Sequence, residues 1–293
     1  MAREPIYSFA VLRNRLTVRG DLLALTALRV GAGRVTDVTS NDLPVLRGAL
    51  GAPLVPGASL KGALRAQIEA LVRAVHPDQA LDLEQIERTM GQTIGALKEH
   101  VDLRNNDRAL SDAIWRVSTL IDLTFGAPWI AGRLFLKDAA IEPSLWFGQV
   151  EVRNGVGINR DTETVQQGLL YDYEVVPAGT RFSFDLILEN AAPWQLGMLL
   201  SALKPWMRGD VQLGGFRSRG LGYVQLVGRD GQVTPDIRYL VVREGIAGVD
   251  DVLALLTGDG GAPIDQAQEQ AWIAAFRDAL RDPSVARKEL TDA

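Results

Sequence analysis

The alternation of apolar and polar positions predicts most of the regular elements. Residues 8–18, FAVLRNRLTVR, mix β-branched, apolar and polar side chains as a strand does. From Leu60 onward, Leu60, Leu64, Ile68, Leu71, Val72 and Val75 recur at the spacing of one buried helix face. Ser59 is the expected N-cap of that helix and His76-Pro77 its stop. Residues 132–138, GRLFLKD, read as a short strand. In residues 180–188, Phe182, Phe184 and Leu186 alternate with Arg181, Ser183 and Asp185, the pattern of a half-buried strand. Leu196, Leu199, Leu200 and Leu203 mark a second helix ended by Pro205, and GYVQLVG supplies a last strand.

In chain order these elements run β, α, β, β, α, β. That is an α+β, ferredoxin-like (RRM-like) core, an arrangement that hosts many functions and includes RNA-binding sheets. The core occupies a domain of residues 1–230, and three stretches stand outside the pattern. Residues 80–122 lean helical, with breaks expected at Gly91, Gly95 and Asn105-Asn106-Asp107, and read as a helical insertion. Residues 150–176 lack a core period and read as a protruding β-hairpin arm. Residues 231–293 form an acidic C-terminal extension in which Trp272, Ile273, Phe276 and Leu280 mark a helix expected to dock on the body. The loop between the first strand and the first helix is too long for a simple connection, and loops of that length are functional or disordered.

Composition narrows the chemistry. Among 293 residues there is no Cys, which excludes disulfides, thiolate metal sites and Cys nucleophiles and makes a reducing cytoplasm the easiest home. No apolar run reaches transmembrane length, so no membrane partner is expected. Residues 245–293 hold nine acidic side chains against four basic ones, an excess equal to the chain's whole net charge of −5. The remainder is neutral on balance and can carry a basic face. The acidic total therefore does not exclude a nucleic-acid partner.

Four segments could carry chemistry. In PGASLKGALR (56–65) a glycine-bearing turn enters a helix with Lys61 and Arg65 four apart on one face; free N–H groups and two cations would suit a phosphate, or simply an ordinary amphipathic helix. It is not a Walker A loop, because no GxxxxGK[ST] occurs. In GGFRSRGLG (214–222), Gly214 and Gly215 would let backbone approach a ligand, Arg217 and Arg219 could face phosphates, and Phe216 could stack on a base; a plain connecting turn is the alternative. Asp37 and Asp42 could hold a divalent metal or orient an attacking hydroxyl, although Asn41-Asp42 suits an Asx-turn equally well. The arm carries Arg153 and Arg160, which fit a projection that touches a partner or a solvated hairpin. His76 and His100 lie in neither a GxSxG elbow nor an HExxH motif, so a Ser-His-Asp triad is not expected.

Together these strings resemble the CRISPR-associated RAMP proteins, and within them the backbone subunits of type III effector complexes. LPVLRGALGAPLVPGASLKGALR, TFGAPWIAGRLFLKDA, NGVGINRDTETVQQGLLYDYEVVPAGTRFSFDL and LGGFRSRGLGYV match in order and spacing over most of residues 8–228. The helical insertion and the extension are not covered. The resemblance implies polymerisation along a guide RNA with other effector subunits and copies of itself, and an arm that acts as a thumb crossing the guide–target duplex. It implies guide contacts at Ser59, Lys61, Arg65, Arg217 and Arg219. The residue aligned with the acidic residue of target-cleaving members is Asp42, in NDLPV. The implied reaction is scission of target RNA by the ribose 2′-OH, assisted by Asp42 as base or metal contact, with Mg²⁺ or Mn²⁺ needed for cleavage and not for binding. Ala58-Ser59 departs from the family's usual Ser-Ser pair and loses one hydroxyl contact. Three other readings stay open: a non-catalytic guide-binding subunit, a guide-processing endonuclease, and a nucleotide-using metabolic enzyme.

Overall fold

The computed structural model describes residues 8–33, 42–229, 231–258 and 261–288. The strands are β1 (Asn14–Ala24), β2 (Leu54–Val55), β3 (Leu134–Leu136), β4 (Ala139–Ala140), β5 (Glu151–Ile158), β6 (Val165–Val175), β7 (Arg181–Glu189), β8 (Val211–Gln212), β9 (Tyr223–Val227), β10 (Asp236–Val241) and β11 (Ala262–Pro263). The helices are α1 (Gly57–Val75), α2 (Leu83–Gln85), α3 (Gly91–Glu99), α4 (Asp107–Val117), α5 (Leu120–Phe125), α6 (Pro193–Arg208), α7 (Gly248–Thr257), α8 (Gln266–Arg281) and α9 (Val285–Lys288).

Antiparallel pairing sets the order β9-β1-β7-β3, with α1 between β1 and β3 and α6 between β7 and β9. This is the ferredoxin-like βαββαβ core expected from the sequence. Period-two alternation decides its faces: Leu16, Val18, Leu22 and Ala24 on β1 and Phe182, Phe184, Leu186 and Leu188 on β7 are buried in one core with Leu60, Leu64, Ile68 and Val72 of α1. β1 is long enough to serve two partners on one edge. Its first half, Asn14–Arg19, pairs with β10 and its second half, Asp21–Ala24, with β9. Gly20 marks the split, where a Cβ would lie 2.3 Å from the carbonyl oxygen of Val227.

The first strand lies later than the apolar pattern suggests, at Asn14–Ala24 rather than 8–18. Residues 8–13 lie outside the strand, and the buried side chain of Asn190 is one group that holds them. Asn190 accepts from the amide of Arg13 at 2.7 Å and donates to the carbonyl oxygens of Ser8 and Val11. Pro205 does not end α6, which continues to Arg208 and closes on Gly209 in the left-handed region. Buried Trp206 holds that last turn, donating its indole N–H to Gln67 at 2.9 Å. Gly91 and Gly95 do not break the insertion, since α2 passes through a π-helical turn, Ile86–Met90, into α3. Asn106 is the N-cap of α4, accepting from the Ala109 amide.

Beyond residue 230, β10 extends the sheet and α8 packs on α6. Trp272 and Phe276 are buried in the main core, and Tyr239 meets Trp272 edge-on at 4.8 Å. A Cβ on Gly197 of α6 would sit 1.9 Å from the carbonyl oxygen of Trp272, so glycine sets the approach of the two helices. Among the named strands β5 and β6 pair with each other alone, with one isolated bridge from Tyr173 of β6 to Leu43, and they form the arm read at 150–176. Among the described residues, no helix is long and apolar enough to cross a membrane.

Candidate nucleic-acid interface

PGASLKGALR does open a helix, but its cap is not Ser59. The helix starts at Gly57 after Pro56, without a side-chain cap; the Gly57 amide donates to Asp138 at 2.8 Å. Glycine is required there, because a Cβ would meet the Leu136 carbonyl oxygen at 2.5 Å. The Ser59 and Leu60 amides donate to the Pro56 carbonyl oxygen, and the Ala58 amide has no partner among the described residues. Ala58 and Ser59 are exposed.

Lys61 and Arg65 share a face as their spacing requires, and that face meets protein. Lys61 donates to the Leu134 carbonyl oxygen at 3.0 Å; burial, and secondarily Arg65, lower its pKa. Arg65 donates to Glu69 at 2.7 Å and to the Gly126 carbonyl oxygen at 2.7 Å, and lies 3.6 Å from Asp122. Both cations brace α1 against β3 and α5, the flank of the sheet away from β9.

The glycine-rich loop is pinned at both ends to the segment after β1. Gly215 donates to the Arg29 carbonyl oxygen, Gly222 to that of Ala27, and Leu213 to that of Gly222. Gly214 has φ +76°, and a Cβ there would lie 2.1 Å from the Arg29 carbonyl oxygen. The glycines therefore admit the chain's own backbone. Arg217–Arg219 form a 3₁₀ turn entered through Phe216, whose φ of 58° is left-handed. Arg217 is exposed, with no ion pair among the described residues.

The Phe216 ring is partly buried among protein groups. It lies 4.6 Å from Tyr173 and is stacked on Tyr171 at 6.5 Å, with the guanidiniums of Arg29 and Arg219 at 5.2 and 5.0 Å from its centre. Arg29, which sequence reasoning missed, is only 9% exposed, and burial lowers its pKa. No ion pair to Arg29 occurs among the described residues. Nothing in the local pattern LTALRV distinguishes it from a surface arginine, since its burial depends on a loop nearly two hundred residues later.

Asp42 lies at the root of the arm. Its Oδ2 accepts from the Asp172 amide at 3.3 Å, while Leu43 donates to the Asp172 carbonyl oxygen and accepts from the Glu174 amide. Glu174 in turn accepts from the Val45 amide and from Arg47 at 3.0 Å. The segment carrying Asp42 is thus fastened along β6. Asp37 lies outside the described residues. In the arm, Arg153 is paired with Glu151 at 2.9 Å and Arg160 is exposed at the tip. His76 and His100 cap the C-termini of α1 and α3.

The structure therefore brings together Asp42, the root of the arm and the glycine-rich loop. Lys61 and Arg65 are turned instead to the β3 and α5 side of α1, while Ser59 is exposed at the start of that helix. Among the described residues no three carboxylate or imidazole groups gather as a metal site. A divalent cation at Asp42 would therefore need most of its ligands from RNA oxygens and water, a donor set that Mg²⁺ accepts. A search of curated proteins finds no match to the chain. The RAMP superfamily model matches residues 21–225, from the middle of β1 into β9. That span takes in the whole βαββαβ core apart from its two ends, the arm and the glycine-rich loop, and the chain belongs to the CRISPR-associated RAMP superfamily.

Proposed function

We propose that the chain is a guide-RNA-binding backbone subunit of a type III effector complex and that it cleaves complementary target RNA at Asp42. The observation that carries the proposal is the attachment of Asp42 to β6. A carboxylate tied to the Asp172 amide moves with the arm, so an arm crossing a guide–target duplex brings Asp42 to the strand it crosses. Guide and target phosphates meet exposed cations, Arg217 on the glycine-rich loop and Arg160 at the arm's tip, with Ser59 and the Ala58 amide at the start of α1.

In the proposed reaction the 2′-oxygen of the target ribose attacks the adjacent phosphorus in line, and the bond to the 5′-oxygen breaks. The products are a 2′,3′-cyclic phosphate and a 5′-hydroxyl. Asp42 takes the 2′-OH proton, and water supplies one to the leaving oxygen. A divalent ion held by Asp42 and RNA oxygens would supply charge stabilisation at the phosphorane. The arm's part is orientation, holding the hydroxyl in line. Base pairing, not protein, reads the target sequence.

A second reading has its own observation. The Asp42–Asp172 hydrogen bond is also a sufficient structural role for the carboxylate, and in that case the chain binds guide without cutting. The test of the broader assignment is purification of the chain with its partners. A small RNA of discrete length should co-purify, and complementary RNA should be cut at regular intervals. A complex free of RNA, or tight mononucleotide binding with indifference to RNA, contradicts it.

A further inference from the structure

Tyr171 and Arg219 stand on different elements and meet at one hydrogen bond. Arg219 Nη1 donates to the Tyr171 hydroxyl at 2.6 Å while its guanidinium rests on the Phe216 ring. Phe216 packs at 4.6 Å on Tyr173, two residues along the same strand as Tyr171. The arrangement is built on a glycine of the facing strand. Gly155 is the register partner of Tyr171, and a Cβ at 155 would fall 2.1 Å from the Tyr171 ring, so the ring lies across β5. On the other side Phe216 holds a left-handed φ that a phenylalanine adopts only where surrounding contacts over-determine it.

We infer that Tyr171, Phe216 and Arg219 form a latch that sets the angle of the arm relative to the sheet, and that Arg219 is a positioning residue for the arm rather than a ligand of RNA. Two physical arguments carry this. First, a two-stranded ribbon is marginal by itself, and among the described residues no third named strand pairs with it. Its direction is set at the root, where Leu28 bridges Val176, Leu43 bridges Tyr173 and the glycine-rich loop packs on Tyr171 and Tyr173. Second, β6 connects the latch to Asp42. Tyr171 and Tyr173 face the loop, and the amide of Asp172 between them holds the Asp42 carboxylate. A shift of the loop on the Tyr171 side therefore displaces the group on which the proposed chemistry depends.

The latch rests on the proposed function only for its consequence in catalysis, and the test separates the two. The whole complex is prepared with wild-type chain, Tyr171→Phe, which removes one hydroxyl, Arg219→Lys, and the double variant. Three quantities are read: guide affinity, kcat and KM for target cleavage, and the distance between the arm's tip and the body. Because the chain has no Cys, the pair Asp161→Cys and Arg208→Cys can be spin-labelled without background. The latch predicts guide affinity within about twofold of wild type, kcat down about tenfold with KM unchanged, and a broadened distance distribution. It also predicts that the double variant is no worse than either single one, because both remove the same interaction. A sharp wild-type distance in Tyr171→Phe overturns the latch. So does a loss of guide affinity in Arg219→Lys without distance change, which would make Arg219 an RNA ligand. If the wild-type complex cuts no target, the catalytic reading fails alone and the distance distribution still decides the latch.

Discussion

Arg65 reaches from the third turn of α1 to the carbonyl oxygen of Gly126, 2.7 Å away, and so ties the helix to the C-terminus of α5. Gly126 has φ +90° and sits against Gly132, with 2.7 Å between its virtual Cβ and the Gly132 nitrogen. The carbonyl that Arg65 caps is part of a close backbone crossing, and Asp122 depends on the same guanidinium for its charge partner.

Arg65→Ala should therefore act on stability before it acts on RNA. Losing a charged donor to part-buried acceptors costs about 2 kcal/mol, a fall of several degrees in Tm. Thermal melts of the purified chain check this. An unchanged Tm with a large loss of guide affinity would make Arg65 a free RNA ligand instead.

Asp122 gives a pH dependence of defined sign. Burial raises its pKa despite the hydrogen bonds from Thr119 and the field of Arg65. A carboxyl raised on folding holds its proton longer in the folded state, so its contribution falls as pH rises from the ordinary carboxylate value, about 3.9, through the raised one. Asp122→Asn keeps the acceptor for Thr119 and removes the titration. The stability of Asp122→Asn relative to wild type should rise with pH across that window in urea melts. A relative stability that falls with pH contradicts the assignment.

Gly197→Ala tests the docking of the C-terminal extension. The added methyl has no room beside the Trp272 carbonyl oxygen, and overpacking of this kind costs about 1–3 kcal/mol. Chemical denaturation should show a lower midpoint, and limited proteolysis should release the segment after β9 sooner. Wild-type behaviour in both would mean that α6 and α8 are not in contact.

These positions also mark what the sequence makes legible. Phe182, Phe184 and Leu186 announce β7 because a half-buried strand imposes period two on its own residues, and the same local logic finds α1, α6 and the core order. Lys61 and Arg65 show the limit. Their spacing puts both on one face, but whether that face meets solvent or the carbonyls of Leu134 and Gly126 is decided by elements more than sixty residues away. Ser59 has the composition of a cap, yet Asp138 takes the amide because β3 ends against the helix start. Arg29 is invisible for the same reason, and Phe216 is legible as a ring on the loop but not as one packed on Tyr171 and Tyr173. The arm is legible in its missing core period and Asp42 as a candidate carboxylate, with their roles implied by the family resemblance, but their attachment through Asp172 is tertiary.

Guide binding should depend on salt through the exposed cations. Arg217→Ala should lower the slope of log affinity against log salt by about 0.7, the share of one phosphate contact on a single strand. Filter binding at several salt concentrations measures it. An unchanged slope removes Arg217 from the interface.

The central claim is that Asp42 serves cleavage and not only the seating of the arm. Asp42→Asn keeps an acceptor for the Asp172 amide and removes the base, so it separates the two roles. The decisive measurement is cleavage of a complementary RNA by the assembled, guide-loaded complex with Mg²⁺, wild type against Asp42→Asn. Cleavage reduced at least a hundredfold, in line with the usual contribution of a general base, with guide and target binding retained, is the predicted result. Cleavage at the wild-type rate and at the same positions would contradict it.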